Sequence, residues 1–330
     1  MSRVTVFGAG AMGTALAIHL ARKGDDVALW GSEFDVRVLP SLQDRREHPA
    51  LPERLPASIR VHGPDELEQA AKGAEIAVLA ANSGGARSLA TMVAPALEGQ
   101  PAAVSIAKGL EPRSLKRMTE VYAEVLGGRP VVAIGGPALA AEVADGQPCS
   151  AVLACQERDV ADRVARAFDA ETYAAHATDD CAGVEYCGTA KNVGAIGAGI
   201  LEGLGQRREQ AYKNARAVLF TRAAHEMADL VEAVGGRRET ALGLAGVGDL
   251  LVTSIGGRNR QFGELVGSGM RPEHALEDLQ ERGMTVEGVD SAHDVHELAA
   301  GAGLELPVHE AVFRVIHEDA PPTTILEAIG

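Results

Sequence analysis

Short apolar runs alternate with amphipathic stretches through the first 180 residues. RVTVF at 3–7 predicts a buried strand, TALAIHLARKG predicts a helix with one apolar face, and DVALW at 26–30 predicts a second strand. The alternation continues through a helical DELEQAAKGA, a strand EIAVLAA at 75–81, a helix from Ala86, and a strand AAVSIAK at 102–108. PVVAIGGPA at 130–138 reads as a strand running into a turn, and GGPALAAEVADGQP at 135–148 as a turn into a helix capped by Gly146. AVLAC at 151–155 and ETYAAHA at 171–177 add edge strands. Strands and helices alternating at this length make a doubly wound, mostly parallel sheet that takes ligands at the carboxyl ends of its strands. After Asp180 the β-branched runs disappear and long helices rich in small residues take over. The expected organisation is an α/β domain over 1–180 and an all-α domain over 181–330.

Composition narrows the function. At 46% hydrophobic and 23% charged residues, the 330-residue chain has the make-up of a soluble protein with a core in each domain. A net charge of −15 excludes nucleic acid or an anionic membrane as the main partner, and it obliges any site for an anionic substrate to gather positive charge locally. No apolar run reaches 18 residues and no charged-then-apolar leader opens the sequence, so neither stable membrane insertion nor a signal peptide is expected, and the expected location is cytoplasmic. Cys149, Cys155, Cys181 and Cys187 lack C-x-x-C spacing, so no metal is expected and the thiols read as free and reduced. His293, His296, His309 and His317 lie on amphipathic stretches without metal spacing and read as surface or core histidines.

GAGAMG at 8–13 sits between the first strand and the first helix, so Gly8, Gly10 and Gly13 form G-x-G-x-x-G in a strand–turn–helix–strand context. Gly8 permits a tight turn, Gly10 lets a pyrophosphate approach the backbone, and Gly13 lets helix and strand pack closely. The helix start at Ala11 and Met12 supplies amides and a favourable dipole for phosphate. A ligand-free glycine turn is the plainer reading, and the full context weighs against it. Glu33 stands about where an acidic residue binds an adenosine ribose, whereas Arg37, Arg45 and Arg46 are placed to meet a 2′-phosphate, so NAD and NADP stay unresolved. Two further stretches end strands: Asn82-Ser83-Gly84-Gly85, suited to the nicotinamide side, and Lys108, for which a solvated strand-end lysine is an equal reading.

In the second half, GVEYCGTAKNVGAIGAGI at 183–200 is the least polar run and still carries Lys191. A buried ammonium costs several kcal/mol unless it is paired or changes protonation; a snorkelling surface lysine is the alternative. Asp249 lies between apolar residues in GLAGVGDLLVTSIGGRNRQFG at 243–263, where Arg258, Asn259 and Arg260 offer donors suited to phosphate. A helix N-terminus with solvated arginines is the plainer account of that run.

These segments, with AKGLE and TVEGV, resemble in order the NAD(P)-dependent glycerol-3-phosphate dehydrogenase family over nearly the whole chain. The Lys-Asn pair after GVE and the Gly-Arg-Asn run after Gly-Asp-Leu are absent from a generic dinucleotide-binding dehydrogenase. The resemblance implies a Rossmann domain followed by a helical domain like the C-terminal part of 6-phosphogluconate dehydrogenase. It also implies NAD or NADP as cofactor, a small phosphorylated substrate, a homodimer and a place in glycerophospholipid synthesis. It makes Lys191 the general acid–base for reduction of dihydroxyacetone phosphate, with Lys108 and Asp249 as the other charged members of the site. Two ammonium groups would oppose the charge of the alkoxide that hydride addition builds. Asn192, Thr253, Arg258 and Asn259 match phosphate-binding positions, and Gly136, Ala138 and Ala140 match positions lining substrate or cofactor. Lys108, Arg258 and Glu287 match positions near the nicotinamide or ribose.

The chain also departs from the family pattern. Ala11-Met12 replaces a common Ser-Trp, Ala138 removes a hydroxyl near the substrate, and Ser32 stands where an arginine is common. The segment GLGQRREQAYKN is longer and more charged than usual. These changes leave open a related reductase of another phosphorylated ketose or a 2-keto acid. A nucleotide-binding redox sensor without turnover is disfavoured by the presence of Lys108, Lys191 and Asp249 together.

Overall fold

The computed structural model describes residues 1–99 and 101–330. The chain separates into two compact units, Met1–Cys181 and Ala182–Gly330. The first is an α/β unit built on eight strands: β1 Arg3–Phe7, β2 Asp26–Trp30, β3 Arg60–His62, β4 Ile76–Leu79, β5 Ala102–Ser105, β6 Val131–Gly135, β7 Cys149–Ala154 and β8 Tyr173–Thr178. Their order in the sheet is β3-β2-β1-β4-β5-β6-β7-β8. Neighbours from β3 to β6 run parallel, β7 runs antiparallel to β6, and β8 is parallel to β7. The order reverses on either side of β1, and the crevice at that reversal is where a doubly wound sheet binds its ligand.

Among the described residues seven α-helices accompany the sheet: α1 Ala11–Lys23, α2 Leu39–Asp44, α3 Leu67–Ala71, α4 Ala86–Val93, α5 Met118–Val125, α6 Ala140–Asp145 and α7 Arg158–Phe168. Side chains alternate between the two faces of the sheet, so two cores form. One gathers Val4, Val6, Leu16, Val78, Val104 and Phe168; the other gathers Phe7, Trp30, Leu79, Val93 and Tyr122. Full burial of each large side chain contributes about 1.5–3 kcal/mol. Helix α1 ends at Gly24, whose φ of 101° makes the left-handed C-cap, and α6 ends the same way at Gly146, φ 81°.

Three details differ from the sequence reading. β5 stops at Ser105, so Lys108 lies in the loop beyond it and not at the strand's tip. The stretch DELEQAAKGA divides into a 3₁₀ turn, Pro64–Glu66, and the short α3. β3, α5 and α7 are absent from the sequence reading, although α7 carries an apolar stripe of Ala161, Val164, Ala165 and Phe168 at helical spacing.

The second unit is entirely helical: α8 Cys181–Arg208, α9 Lys213–Ala233, α10 Arg238–Leu242, α11 Asp249–Ile255, α12 Arg258–Gly267, α13 Pro272–Glu281, α14 Gly288–Ala302, α15 Pro307–His317 and α16 Thr324–Glu327. A single core including Val193, Ile196, Met227, Leu250, Phe262 and Val312 surrounds α8. Among the described residues no helix is long and apolar enough to cross a membrane. No described cluster of His, Cys, Asp or Glu is arranged to hold a metal.

Candidate active site

In the first unit the glycine turn has the shape a phosphate requires. Gly8 has φ 112°, and a Cβ there would lie 2.5 Å from the Ala80 carbonyl oxygen. A Cβ on Gly13 would overlap the Gly8 carbonyl oxygen, so both positions are closed to any side chain. Gly10, the N-cap of α1, is the opposite: a Cβ there meets no atom within 4 Å. The turn is therefore tight where it packs and open above the helix N-terminus. The first turn of α1, with Ala11, Met12 and Gly13, carries no acidic side chain to compete for its amides. These residues fit a dinucleotide pyrophosphate.

Beyond β2 the loop is locked by a carboxylate. The Ser32 amide and hydroxyl donate to Asp35 Oδ2 at 2.9 and 3.0 Å, and the Phe34 amide donates to Ser32 Oγ at 3.2 Å. Glu33 opens this turn, exposed, beside Phe34, which is 81% exposed. Sequence reasoning passed over Phe34, and only its exposure distinguishes it from a core aromatic. Arg46 does not serve as an expected 2′-phosphate contact: its guanidinium donates to the Ile59 carbonyl at 2.8 Å and to that of Pro56. Arg45 reaches Ser41 Oγ at 3.2 Å.

Asn82 accepts from the Gly85 amide at 2.8 Å and so caps the turn that opens α4. The ammonium of Lys108 donates to the Gly136 carbonyl at 3.0 Å. Gly136 has φ 105°, and a Cβ there would sit 3.1 Å from the Ser150 carbonyl oxygen. Ala138 packs half-buried against the core of the sheet, and Ala140 is the first residue of α6.

In the second unit Lys191 is buried and paired. Its Nζ donates to Asp249 Oδ1 at 2.7 Å and to Thr253 Oγ1 at 3.0 Å. Asp249 is 2% exposed and Lys191 6%, so this pair is held away from bulk water. Thr253 completes the arrangement by donating to the Asp249 backbone carbonyl one turn back, at 2.7 Å. A π-helical turn, Leu244–Gly248, delivers Asp249 to the start of α11. Gly246 is required there because a Cβ would overlap the Ala241 carbonyl.

One residue along α8, a second polar chain begins. Asn259 Nδ2 donates to Asn192 Oδ1 at 2.8 Å, while Asn259 Oδ1 accepts from the Gly288 amide at 3.0 Å. Arg258, at the start of α12, donates to Thr285 Oγ1 at 2.7 Å. Glu287 is the N-cap of α14. The loop before α14 therefore faces Arg258 and Asn259, a link that TVEG did not reveal by itself.

Several glycines of α8 pack against other helices of their own unit. Cβ atoms at Gly199 and Gly203 would overlap the Arg260 and Glu264 carbonyls of α12, and those at Gly263 and Gly267 would overlap the Ile196 and Ile200 carbonyls of α8. Two glycine pairs, each spaced by four, bring the two backbones into contact. That contact fixes Asn259 opposite Asn192.

The sequence matches two family models: "NAD-dependent glycerol-3-phosphate dehydrogenase N-terminus" over residues 3–161, and the corresponding C-terminus over residues 180–327. The chain belongs to this family. It is 39% identical over 332 residues to a glycerol-3-phosphate dehydrogenase [NAD(P)+] of Salinibacter ruber, covering 99% of this chain and 93% of that one. It is 35% identical over 325 residues to the NADP(+)-dependent glycerol-3-phosphate dehydrogenase of Archaeoglobus fulgidus, covering 96% and 95%. The crystal structure of glycerol-3-phosphate dehydrogenase from Coxiella burnetii superposes with a TM-score of 0.89 at 33% identity, over 99% of this chain and 98% of that one. A ketopantoate reductase of Ralstonia eutropha, at 16% identity and a TM-score of 0.62, shares the fold alone.

Proposed function

We propose that the protein is a glycerol-3-phosphate dehydrogenase that reversibly reduces dihydroxyacetone phosphate to sn-glycerol 3-phosphate with NAD(P)H, and that Lys191 is its general acid–base. The observation that carries this reading is the buried Lys191–Asp249–Thr253 cluster, with Asn192 and Asn259 bonded to each other on the next position of α8. The bound nicotinamide supplies the hydride. Lys191 then supplies the proton that the reduced carbonyl oxygen needs, and takes it back in the oxidation direction. Asp249 and Thr253 keep the ammonium aimed, and Asp249 supplies its counter-charge. Arg258, with Asn192 and Asn259, is assigned to the phosphate, while Lys108, Gly136 and Ala138 are assigned to substrate positions on the first unit.

The pyrophosphate is assigned to Gly8, Gly10, Ala11, Met12 and Gly13, and further cofactor contacts to Lys108, Ala140, Arg258 and Glu287. Glu33 takes the adenosine ribose. With Ser32 locked by Asp35, Glu33 beside it and Arg46 committed to backbone carbonyls, the loop after β2 is set against a 2′-phosphate. NADH is the expected preference, on the order of tenfold in kcat/KM, because like charges placed together are costly. A homodimer in the cytoplasm that serves glycerophospholipid synthesis completes the proposal.

Initial rates with dihydroxyacetone phosphate and other ketose phosphates, each with NADH and NADPH, test it directly. Lys191→Ala should lower kcat by about 10²–10⁴, the usual worth of a general acid. Unchanged turnover in that variant would end the assignment. Reduction of another phosphorylated ketose in preference to dihydroxyacetone phosphate would favour the related-reductase reading, which the missing hydroxyl at Ala138 keeps open. Equal turnover of a 2-keto acid would leave Arg258 and Asn259 without a purpose.

A further inference from the structure

Behind Lys191 lies a buried polar chain that the proposed chemistry does not use. Glu226, on α9 and 6% exposed, accepts from the Val308 amide at 2.9 and 3.1 Å and from the His309 amide at 3.0 Å. Both amides belong to the first turn of α15, whose own N-cap, Leu306, has no oxygen in its side chain to offer. The carboxylate of one helix thus caps another, where the helix dipole also favours a negative charge. The same carboxylate meets His309 Nδ1 at 2.7 Å. The opposite ring nitrogen, Nε2, lies 3.3 Å from the carbonyl oxygen of Ala190, the residue just before Lys191.

His309 is 3% exposed, and each of its ring nitrogens faces an acceptor. A carbonyl has two lone pairs, so Ala190 can serve its helix and the ring together. Capping α15 accounts for Glu226 but needs no imidazole. The ring links that cap to the turn of α8 bearing Lys191.

We propose that His309 is a positioning residue, held by Glu226, that fixes the α8 turn carrying Lys191 through the Ala190 carbonyl. The inference rests on the assignment of Lys191 as the acid–base. Two substitutions separate positioning from simple support. In His309→Asn the side-chain amide takes the place of Nδ1, keeping the bond to Glu226 and losing the reach to Ala190. In His309→Gln it takes the place of Nε2, keeping Ala190 and losing Glu226.

The expected result is a crossing of activity and stability. His309→Asn should melt near the wild type yet lose about threefold to tenfold in kcat, the worth of about one hydrogen bond, with KM for dihydroxyacetone phosphate unchanged. His309→Gln should melt lower and keep more of its kcat than His309→Asn. Amide exchange at Gly194, whose helical partner is the Ala190 carbonyl, should speed up in His309→Asn and not in His309→Gln. Activity that simply follows melting temperature, or full activity in both variants, would overturn the proposal. The exchange pattern decides the positioning question even for a chain that leaves dihydroxyacetone phosphate untouched; that failure would belong to the substrate reading.

Discussion

Lys191 and Asp249 show what a buried pair is worth to a protein. Removing one partner leaves the other as an uncompensated charge away from water, which typically costs about 3–5 kcal/mol. Asp249→Ala is therefore expected to lose stability in that range, measured by urea unfolding, and to lose turnover even where it remains folded. A second buried carboxyl behaves differently. Asp294 is 6% exposed, and burial, followed by the charge of Asp290 one turn earlier, pushes its pKa up to about 7 from 3.8. The folded state thus binds a proton that the unfolded chain has already released, and stability falls as pH rises from about 4 to 7. Asp294→Asn should be more stable than the wild type above pH 7, with the gain disappearing as pH drops toward 4; melting temperatures across that window check it. Asp249 was legible in the sequence because its apolar neighbours and glycines isolate it. Asp294 was not, because a carboxylate on an amphipathic helix looks solvated until the helix is packed.

At the scale of elements, the glycine turn separates two kinds of necessity. Gly10→Ala adds a methyl group to open space above α1, so the fold should tolerate it while the KM for NADH rises. Gly13→Ala drives a methyl group into the Gly8 carbonyl and against Ala80, so it should unfold the unit more readily whether or not cofactor is present. Denaturation midpoints alongside NADH titrations distinguish the two. The motif could be read from sequence because a strand, three glycines and a helix follow one another without interruption. The site on the second unit was only half legible. Lys191 and Asn192 stood out by their surroundings, but their tie to Asp249, Thr253 and Asn259 spans some 60 residues of chain. Here only the family resemblance, not any local pattern, foretold which residues belong together. His309 was read as a core or surface histidine; it is buried, with Glu226 and Ala190 as partners.

For the molecule as a whole, the two cores of the first unit and the core of the second share no residue among the described residues. A ligand bound only by the folded form stabilises it by mass action. NADH at a hundred times its Kd should add about 2.7 kcal/mol to the unit that holds it, and Gly10→Ala should diminish that gain in a calorimetric scan. The net charge of −15 makes locally concentrated donors essential for two anionic ligands, and the sequence supplies them sparingly: it holds only six lysines, two of which lie at candidate site positions. Where α12 rests on α8, the four glycines leave no intermediate setting for the helix carrying Arg258 and Asn259. A redesign for a larger ketose phosphate therefore cannot widen the grip by sliding that helix. It has to work through side chains at the rim, with Arg258 and Thr285 the first candidates, while a library spread over the four glycines would return the parent residue.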